Sequence, residues 1–263
     1  MSRAFHEITY TAPLSTPVEL DAYHAPSSGE WRLFVFPGTP CNKFLFQRFL
    51  RVAPPNLDVV VISRPGFAKG HSAPVLDFDE QVAAIKPFLP GAFLGGGEFG
   101  DKKIVSLGVS YGGELALKAA LDFPDFVKGA VTVAALIEEP HDYALMLEKF
   151  ASEIDERGAG KFIEPIAPSR WINVRAEVAG RRNQIGLVLD RLKDFEHPVE
   201  IVHGDFDAIV PRSNADKLAS HLSKASLGTV DIVPGGTHYL ELQYPRRVYQ
   251  AVQRVIDRVG EQE

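Results

Sequence analysis

The chain has 263 residues, of which 45% are hydrophobic and 24% charged, and its formal net charge is −6. These values are typical of a globular protein that can bury a large core. The acidic balance argues against a nucleic-acid partner, because phosphate binding requires clustered positive charge. No run approaches the roughly 20 apolar residues of a membrane-spanning helix, so we expect no membrane partner either.

Cysteine usage and the start of the chain bear on the cellular compartment. Cys41 is the only cysteine, so no disulfide can form within the chain. The first ten residues contain one basic residue and no apolar run of signal-peptide length. Together these features predict a cytoplasmic protein. Cys41 itself could line a pocket, react with oxidants or simply be a small buried residue.

The first hundred residues alternate between apolar segments and turn residues. Two short, partly alternating segments predict an antiparallel edge pair, and two continuous apolar runs predict buried strands. These four predicted strands cover residues 5–12, 18–25, 31–36 and 57–63. Apolar residues at helical spacing predict helices over 42–52 and 78–89.

The rest of the chain continues this alternation, with one interruption. Further predicted strands cover 103–109, 128–135, 199–204 and 228–233, and further predicted helices cover 112–122, 213–222 and 245–259. From 137 to 197 the chain has helical periodicity and no convincing strand. Strands that are apolar on both faces and alternate with helices predict an α/β fold with a mainly parallel sheet covered on both sides.

The most informative motif is Gly108-Val109-Ser110-Tyr111-Gly112, which lies between a predicted buried strand and a predicted helix. A sharp strand-to-helix turn of the pattern G-x-S-x-G lifts the serine above the sheet edge, and it needs small residues where the two backbones pass closely. The amides at the start of the helix favour negative charge beside the serine. This setting predicts that Ser110 is a nucleophile; the alternative is a turn serine that caps the helix.

A serine nucleophile needs a base and a group that orients the base. His238 follows the last predicted strand in a glycine-rich turn and is the predicted base. Asp207, in the turn after the strand 199–204, is the predicted orienting acid, with Asp205 as its competitor. His203 precedes this turn and is more simply interpreted as a structural histidine.

The order Ser110, Asp207, His238 resembles the α/β-hydrolase superfamily, in its serine-nucleophile branch with a helical cap. The resemblance includes the serine motif, the turns that hold the acid and the histidine, and the segment Arg64-Pro65-Gly66-Phe67. It implies an eight-stranded, mostly parallel sheet with helices on both faces. It also implies a core formed by residues 1–136 and 198–263 and an inserted cap formed by 137–197.

The same resemblance implies the remaining site residues. The backbone amides of Tyr111 and Thr39 would form the oxyanion hole, and Gly38 would lie beside the substrate. Many members have His-Gly where this chain has Pro37-Gly38, which leaves open how the loop is braced. Trp171 could wall the acyl pocket or pack the cap onto the core.

The predicted activity is hydrolysis of an ester or related small carbonyl substrate through an acyl-enzyme, without a metal or organic cofactor. A cofactor-free perhydrolase or haloperoxidase-like enzyme, a carbon–carbon bond hydrolase and a non-catalytic small-molecule-binding homologue are the alternatives. The oligomeric state is not predicted.

Five arginines of the predicted cap could receive an anionic substrate or belong to solvated helix faces: Arg157, Arg170, Arg175, Arg181 and Arg182. Residues 95–100 match G-x-G-x-x-G, but a helix precedes them and a strand follows, so a surface loop is predicted.

Overall fold

A computed structural model describes residues 2–69, 75–91, 99–138, 168–224 and 226–262. Eight strands form one sheet in the order β1-β2-β4-β3-β5-β6-β7-β8. They are β1 (His6–Ala12), β2 (Val18–Ala25), β3 (Trp31–Phe36), β4 (Leu57–Ile62), β5 (Lys103–Val109), β6 (Val127–Val133), β7 (Val199–Gly204) and β8 (Leu227–Val233).

Helices cover both faces of this sheet. The α-helices are α1 (Gln47–Arg51), α2 (Phe78–Ala83), α3 (Tyr111–Asp122), α4 (Pro168–Gly180), α5 (Arg182–Arg191), α6 (Ser213–His221), α7 (Leu240–Gln243) and α8 (Pro245–Gly260). Phe49 of α1 and Val252 of α8 belong to one buried apolar cluster, whereas Leu115 of α3 and Val188 of α5 belong to a second. The sheet therefore separates two apolar layers, which explains why its central strands are apolar on both sides.

Strand directions agree with the predicted α/β fold class. β2 is antiparallel to both β1 and β4, and every other neighbouring pair is parallel. In register, Phe36 of β3 pairs with Gly108 of β5, and Gly204 of β7 pairs with Val233 of β8. The carboxyl ends of these strands consequently meet at one edge of the sheet, where α/β folds bind ligands.

Three predicted elements are shorter or more divided than the sequence pattern indicates. The segment 42–52 begins as a 3-10 helix over Lys43–Phe46 and continues as α1. Helix α2 ends at Ala83 and a separate 3-10 helix covers Lys86–Phe88, because a proline at 87 in a continuous helix would clash with the carbonyl group four residues earlier. β6 ends at Val133, because Ala134 has a φ of 47°, which no extended strand can accommodate.

The described part of the region 137–197 lies between β6 and β7 and contains no strand. It contains α4, α5 and a 3-10 helix over Leu192–Asp194. Residues 139–167 lie outside the described residues, and so do positions 95–98 of the glycine-rich segment. The division into a core and a cap therefore stays a prediction. Within the described ranges, no helix is both long and apolar enough to cross a membrane.

Candidate active site

Ser110 stands at the junction of β5 and α3 with an unusual backbone conformation. Its φ is 54° and its ψ is −123°, in the positive-φ region that residues with a Cβ seldom adopt. The Ser110 amide donates to the Val133 carbonyl at 2.9 Å, and the Ser110 carbonyl accepts from the Gly113 amide at 2.9 Å. Neighbouring backbone therefore fixes the strained turn on both sides, as the serine motif predicts.

The glycines of the motif are required by close backbone contacts. A Cβ on Gly108 would lie 1.9 Å from the Gly112 carbonyl oxygen, and a Cβ on Gly112 would lie 2.1 Å from the Phe36 carbonyl oxygen. Both distances are far below van der Waals contact, and the atoms met are backbone atoms that cannot rotate away. β5, α3 and the end of β3 can approach this closely only because these side chains are absent.

Asp207 and His238 form a direct pair at the same sheet edge. The Nδ1 atom of His238 lies 2.8 Å from Oδ2 of Asp207. The other oxygen, Oδ1, accepts hydrogen bonds from the amides of Ile209 at 2.9 Å and Val210 at 2.8 Å. The carboxylate is therefore held by its own turn while one oxygen is directed at the imidazole.

The electrostatic surroundings keep Asp207 ionised. Burial raises the pKa of a carboxyl, but the charge and hydrogen bond of His238, together with the Val210 amide, outweigh burial and hold the Asp207 pKa below its ordinary value. A buried carboxylate beside the imidazole can fix its tautomer and stabilise its protonated form.

The competing residues at this turn have other partners. Asp205 accepts a hydrogen bond from the Gly235 amide at 2.7 Å, so it ties the Asp207 turn to the loop that carries His238. The Nε2 atom of His203 lies 2.9 Å from the Val210 carbonyl oxygen and 3.6 Å from Oδ2 of Asp207. Asp207, and not Asp205, is thus the carboxylate that contacts His238. His203 supports the turn through its contact with the Val210 carbonyl oxygen.

The loop that carries His238 is anchored by a residue that the sequence pattern did not single out. Gln243 of α7 accepts hydrogen bonds from the Thr237 amide at 2.9 Å and from the Thr237 hydroxyl at 3.0 Å. Gln243 follows His238 by only five residues, and this proximity in the chain was the signal by which sequence analysis could have found it. The short helix α7 that presents it was not predicted.

A small cavity of about 10 Å³, roughly the space of one water molecule, joins the residues around Ser110. Ser110 and His238 both line it, and so do Gly38 and Thr39 of the loop after β3. A Cβ on Gly38 would lie 2.9 Å from the Cβ of Ser110, so this loop is packed directly against the serine. Trp171 lies in α4, but its side chain is outside the described part of the chain.

Cys41 and Glu241 also line the cavity. Burial raises the pKa of the Cys41 thiol to about 12, so this thiol stays protonated at neutral pH and serves as a pocket wall. Glu241 is fully buried, and burial raises its carboxyl pKa to about 7, against smaller opposing effects of its own amide and of His238. No other residue in the described ranges donates a hydrogen bond to the Glu241 carboxylate. The sequence pattern did not single out Glu241.

The loop after β3 is braced from two directions. The Nε atom of Arg64 donates to the Pro37 carbonyl oxygen at 2.8 Å. The Thr39 hydroxyl donates to Oε2 of Glu177 on α4 at 2.5 Å. Arg64 and Glu177 in turn form a fully buried ion pair, with 2.7 Å between NH1 and Oε1. This arrangement supplies the bracing that the Pro37-Gly38 sequence left open.

Arg181 differs from both expectations for the predicted cap arginines. It is fully buried, and its Nε atom donates to Oε1 of Glu114 on α3 at 2.6 Å. Its NH2 group donates to the carbonyl oxygens of Leu136 at 2.8 Å and Ile137 at 3.2 Å. Arg181 therefore neither faces solvent nor offers a free charge to a substrate; it fastens the end of α4 to the helix that follows Ser110.

Among the described residues, no group of three or more His, Cys, Asp or Glu side chains could hold a metal ion.

Solved structures with the same fold cover almost the whole chain. A bacterial membrane phospholipase A matches with a TM-score of 0.66 and 20% identity, over 97% of this chain and 87% of its own. An esterase from Thermogutta terrifontis matches with a TM-score of 0.63 and 19% identity, over 97% and 99%. A haloalkane dehalogenase from Agrobacterium tumefaciens matches with a TM-score of 0.65 and 12% identity, over 96% and 97%. At these identities the likeness concerns the fold, which evidently carries several chemistries.

Sequence comparison gives the family. No curated protein matches the chain significantly. The family model for the alpha/beta hydrolase fold matches residues 33–170, which is more than half of the chain and includes the turn at Ser110. The chain therefore belongs to the α/β-hydrolase family.

Proposed function

We propose that this α/β hydrolase is a serine esterase that cleaves a small carboxylic ester through an acyl-enzyme, with Ser110 as nucleophile, His238 as base and Asp207 as orienting acid. The single observation that carries the proposal is the cavity shared by Ser110 and His238, with Asp207 at 2.8 Å from the far nitrogen of the histidine. A strained serine, an imidazole and an ionised carboxylate are the groups that acyl transfer requires.

Attack would begin with a proton transfer to His238. Its Nδ1–H donates to Asp207, so Nε2 carries the lone pair and takes the Ser110 proton as Oγ bonds to the substrate carbonyl carbon. The imidazolium formed is stabilised by the Asp207 carboxylate. His238 then returns the proton to the leaving alcohol, and the acyl group stays on Ser110 as an ester.

The carbonyl oxygen becomes negative during attack and needs preorganised donors. We assign this role to the backbone amides of Tyr111, the first residue of α3, and Thr39, which lines the cavity. Water activated by His238 would then attack the acyl-enzyme and release the carboxylic acid. No step needs a cofactor.

The proposed substrate enters past Gly38 and past a cap formed by residues 137–197, with Trp171 as a candidate wall of the acyl pocket. The cavity beside Ser110 is small, and apolar atoms of Leu45, Phe46 and Val109 line part of it. The small size of this cavity and its apolar lining favour short acyl groups. The proposal therefore names a small-molecule ester as the partner and assigns no macromolecule.

The direct test is ester hydrolysis across an acyl series. We expect aryl acetate and propionate to be hydrolysed faster than octanoate and palmitate, and Ser110→Ala to lower kcat by at least about a thousandfold. The matched control is Ser106→Ala, because Ser106 lies on the same strand, is buried and donates to the Ala116 carbonyl oxygen at 2.8 Å. Unchanged hydrolysis by Ser110→Ala, or no hydrolysis of any ester by the wild type, would contradict the proposal.

A further inference from the structure

Glu177 of α4 collects four hydrogen bonds in the interior of the protein. Oε1 accepts from NH1 of Arg64 and from Nε2 of Gln81, each at 2.7 Å. Oε2 accepts from NH2 of Arg64 at 3.1 Å and from the Thr39 hydroxyl at 2.5 Å. Glu177 and Arg64 are both fully buried. A buried carboxylate with every acceptor position occupied is a rigid attachment point.

This attachment reaches both backbone segments that we assign to the oxyanion hole. Thr39 is bound directly through its hydroxyl. Tyr111 is bound through Arg64, whose guanidinium carbon lies 4.8 Å from the centre of the Tyr111 ring. Arg64 also donates to the Pro37 carbonyl oxygen, two residues before Thr39. One ion pair therefore contacts residues of both segments.

The contacts to Thr39 and Tyr111 involve side chains, whereas the proposed donors are backbone amides. Backbone donors stabilise an oxyanion only if they are already in place, because reorganisation during the reaction costs free energy. The loop after β3 has a glycine and two prolines and lacks the regular hydrogen bonds of a helix or strand. Its position therefore depends on side-chain contacts, and the Thr39 hydroxyl and the Pro37 carbonyl provide them.

We propose that Glu177 is a positioning residue for catalysis: through Thr39 and Arg64 it holds the oxyanion loop against Ser110, so that the docking of α4 completes the oxyanion hole. This inference rests on the proposed serine chemistry. It makes α4 part of the catalytic apparatus although Glu177 is 138 residues from Thr39 in the chain and lines no part of the described cavity.

Thr39→Val is the sharpest variant, because it removes the hydroxyl, keeps the backbone amide and leaves the Glu177–Arg64 pair intact. We expect kcat to fall about tenfold to fiftyfold with KM within about threefold of wild type, since a displaced donor weakens only transition-state binding. A trifluoromethyl ketone with the same acyl group, whose adduct places an oxyanion in the hole, should lose affinity by the same factor. Thr39→Ser, which keeps the hydroxyl, should recover most of the loss seen in Thr39→Val in both measurements.

Glu177→Gln tests the other end of the contact. We expect a loss of kcat and of ketone affinity at least as large as that of Thr39→Val. The double variant Glu177→Gln/Thr39→Val should be no worse than Glu177→Gln alone, because the two residues act through one contact. If Glu177→Gln does not fold, the Thr39 pair of variants decides the question by itself.

The control for general loosening of α4 is Arg181→Met/Glu114→Gln, which removes the buried ion pair that fastens the end of α4 to α3. This variant should lose thermal stability yet keep kcat and ketone affinity within about threefold. An equal catalytic loss in this control, additive losses in the Thr39 and Glu177 double variant, or a Thr39→Val enzyme with wild-type kcat would overturn the proposal.

Covalent labelling of wild-type Ser110 by a fluorophosphonate distinguishes failure of the Glu177 role from failure of the proposed function. If Ser110 is labelled, any of these results defeats only the role of Glu177. If Ser110 is unreactive, the proposed function fails and this inference fails with it.

Discussion

At the scale of single residues, the site depends on which of two neighbouring carboxylates meets the histidine. Asp207 and Asp205 lie two positions apart in one turn, but Oδ2 of Asp207 lies 2.8 Å from His238, whereas Asp205 binds the Gly235 amide. Their roles in the proposed mechanism should therefore differ sharply, although both residues have the same chemistry and help to hold the same pair of loops.

Asp207→Asn should lower kcat by about a thousandfold to ten-thousandfold, because an amide nitrogen facing Nδ1 would stabilise the wrong imidazole tautomer. Asp205→Asn is the matched control. It keeps an oxygen that can accept from the Gly235 amide, so kcat should stay within about threefold of wild type. Steady-state ester hydrolysis by the two variants, at equal concentrations of folded protein, makes the comparison. Equal losses would remove the distinction drawn from the geometry.

Glu241 predicts a dependence of stability on pH. Its folded-state pKa is raised to about 7, so in folded protein it keeps a proton that the unfolded chain loses near pH 4.5. The unfolded state then binds fewer protons between these values, and the contribution of Glu241 to stability falls as pH rises from about 4.5 to about 7. Glu241→Gln should be more stable than wild type at pH 8, by about 1–3 kcal/mol, and should gain much less at pH 4.5.

Denaturant unfolding of wild type and Glu241→Gln at the two pH values measures this difference. Comparing the variant with wild type at each pH removes the contribution of Glu114, whose pKa burial also raises, to about 8. A stability difference that is the same at pH 4.5 and pH 8 would show that Glu241 is not the titrating group.

At the scale of elements, the turn between β5 and α3 is the most constrained part of the fold. Gly112→Ala should destabilise the protein by about 3 kcal/mol or more, since its Cβ would meet the Phe36 carbonyl oxygen at 2.1 Å. Gly186→Ala in α5 is the matched control, because a Cβ there meets no atom within 4 Å. It should stabilise by about 0.5–1 kcal/mol through helix propensity. Thermal unfolding of both variants tests the pair, and equal effects would contradict the close packing at Gly112.

Helices and strands were predictable where residues within the element itself determine its structure. All eight predicted strands are present, because each is an alternating segment or an apolar run bounded by turn residues. The long predicted helix over 78–89 was wrong beyond Ala83, since apolar spacing continued past the point where Pro87 forbids a helix. Helix α7 was missed because its four residues are too few for a periodic pattern.

At the scale of the whole molecule, the candidate site gathers residues from position 38 to position 243 at one edge of the sheet. The order of Ser110, Asp207 and His238 was predictable because each follows its own strand, and the carboxyl ends of neighbouring parallel strands meet. Glu177 was not predictable. Its partners Arg64, Gln81 and Thr39 lie 96 to 138 residues away, and only the folded chain brings them to one carboxylate.

The same long-range assembly explains why Arg181 was misjudged. On a helix, Glu177 and Arg181 lie one turn apart and look like a solvent-exposed pair. In the structure they diverge, Glu177 toward Arg64 and Arg181 toward Glu114, and both are buried. Charge patterning along one helix cannot reveal partners that are supplied by other elements.

The proposed function depends above all on Ser110 being the nucleophile of an acyl-transfer enzyme. The most direct measurement is intact-protein and peptide mass spectrometry after treatment with a fluorophosphonate. We predict one adduct per chain, located on Ser110, lost in Ser110→Ala and greatly slowed in His238→Ala. An unmodified wild-type protein, or an adduct that persists in Ser110→Ala, would show that Ser110 is not the nucleophile.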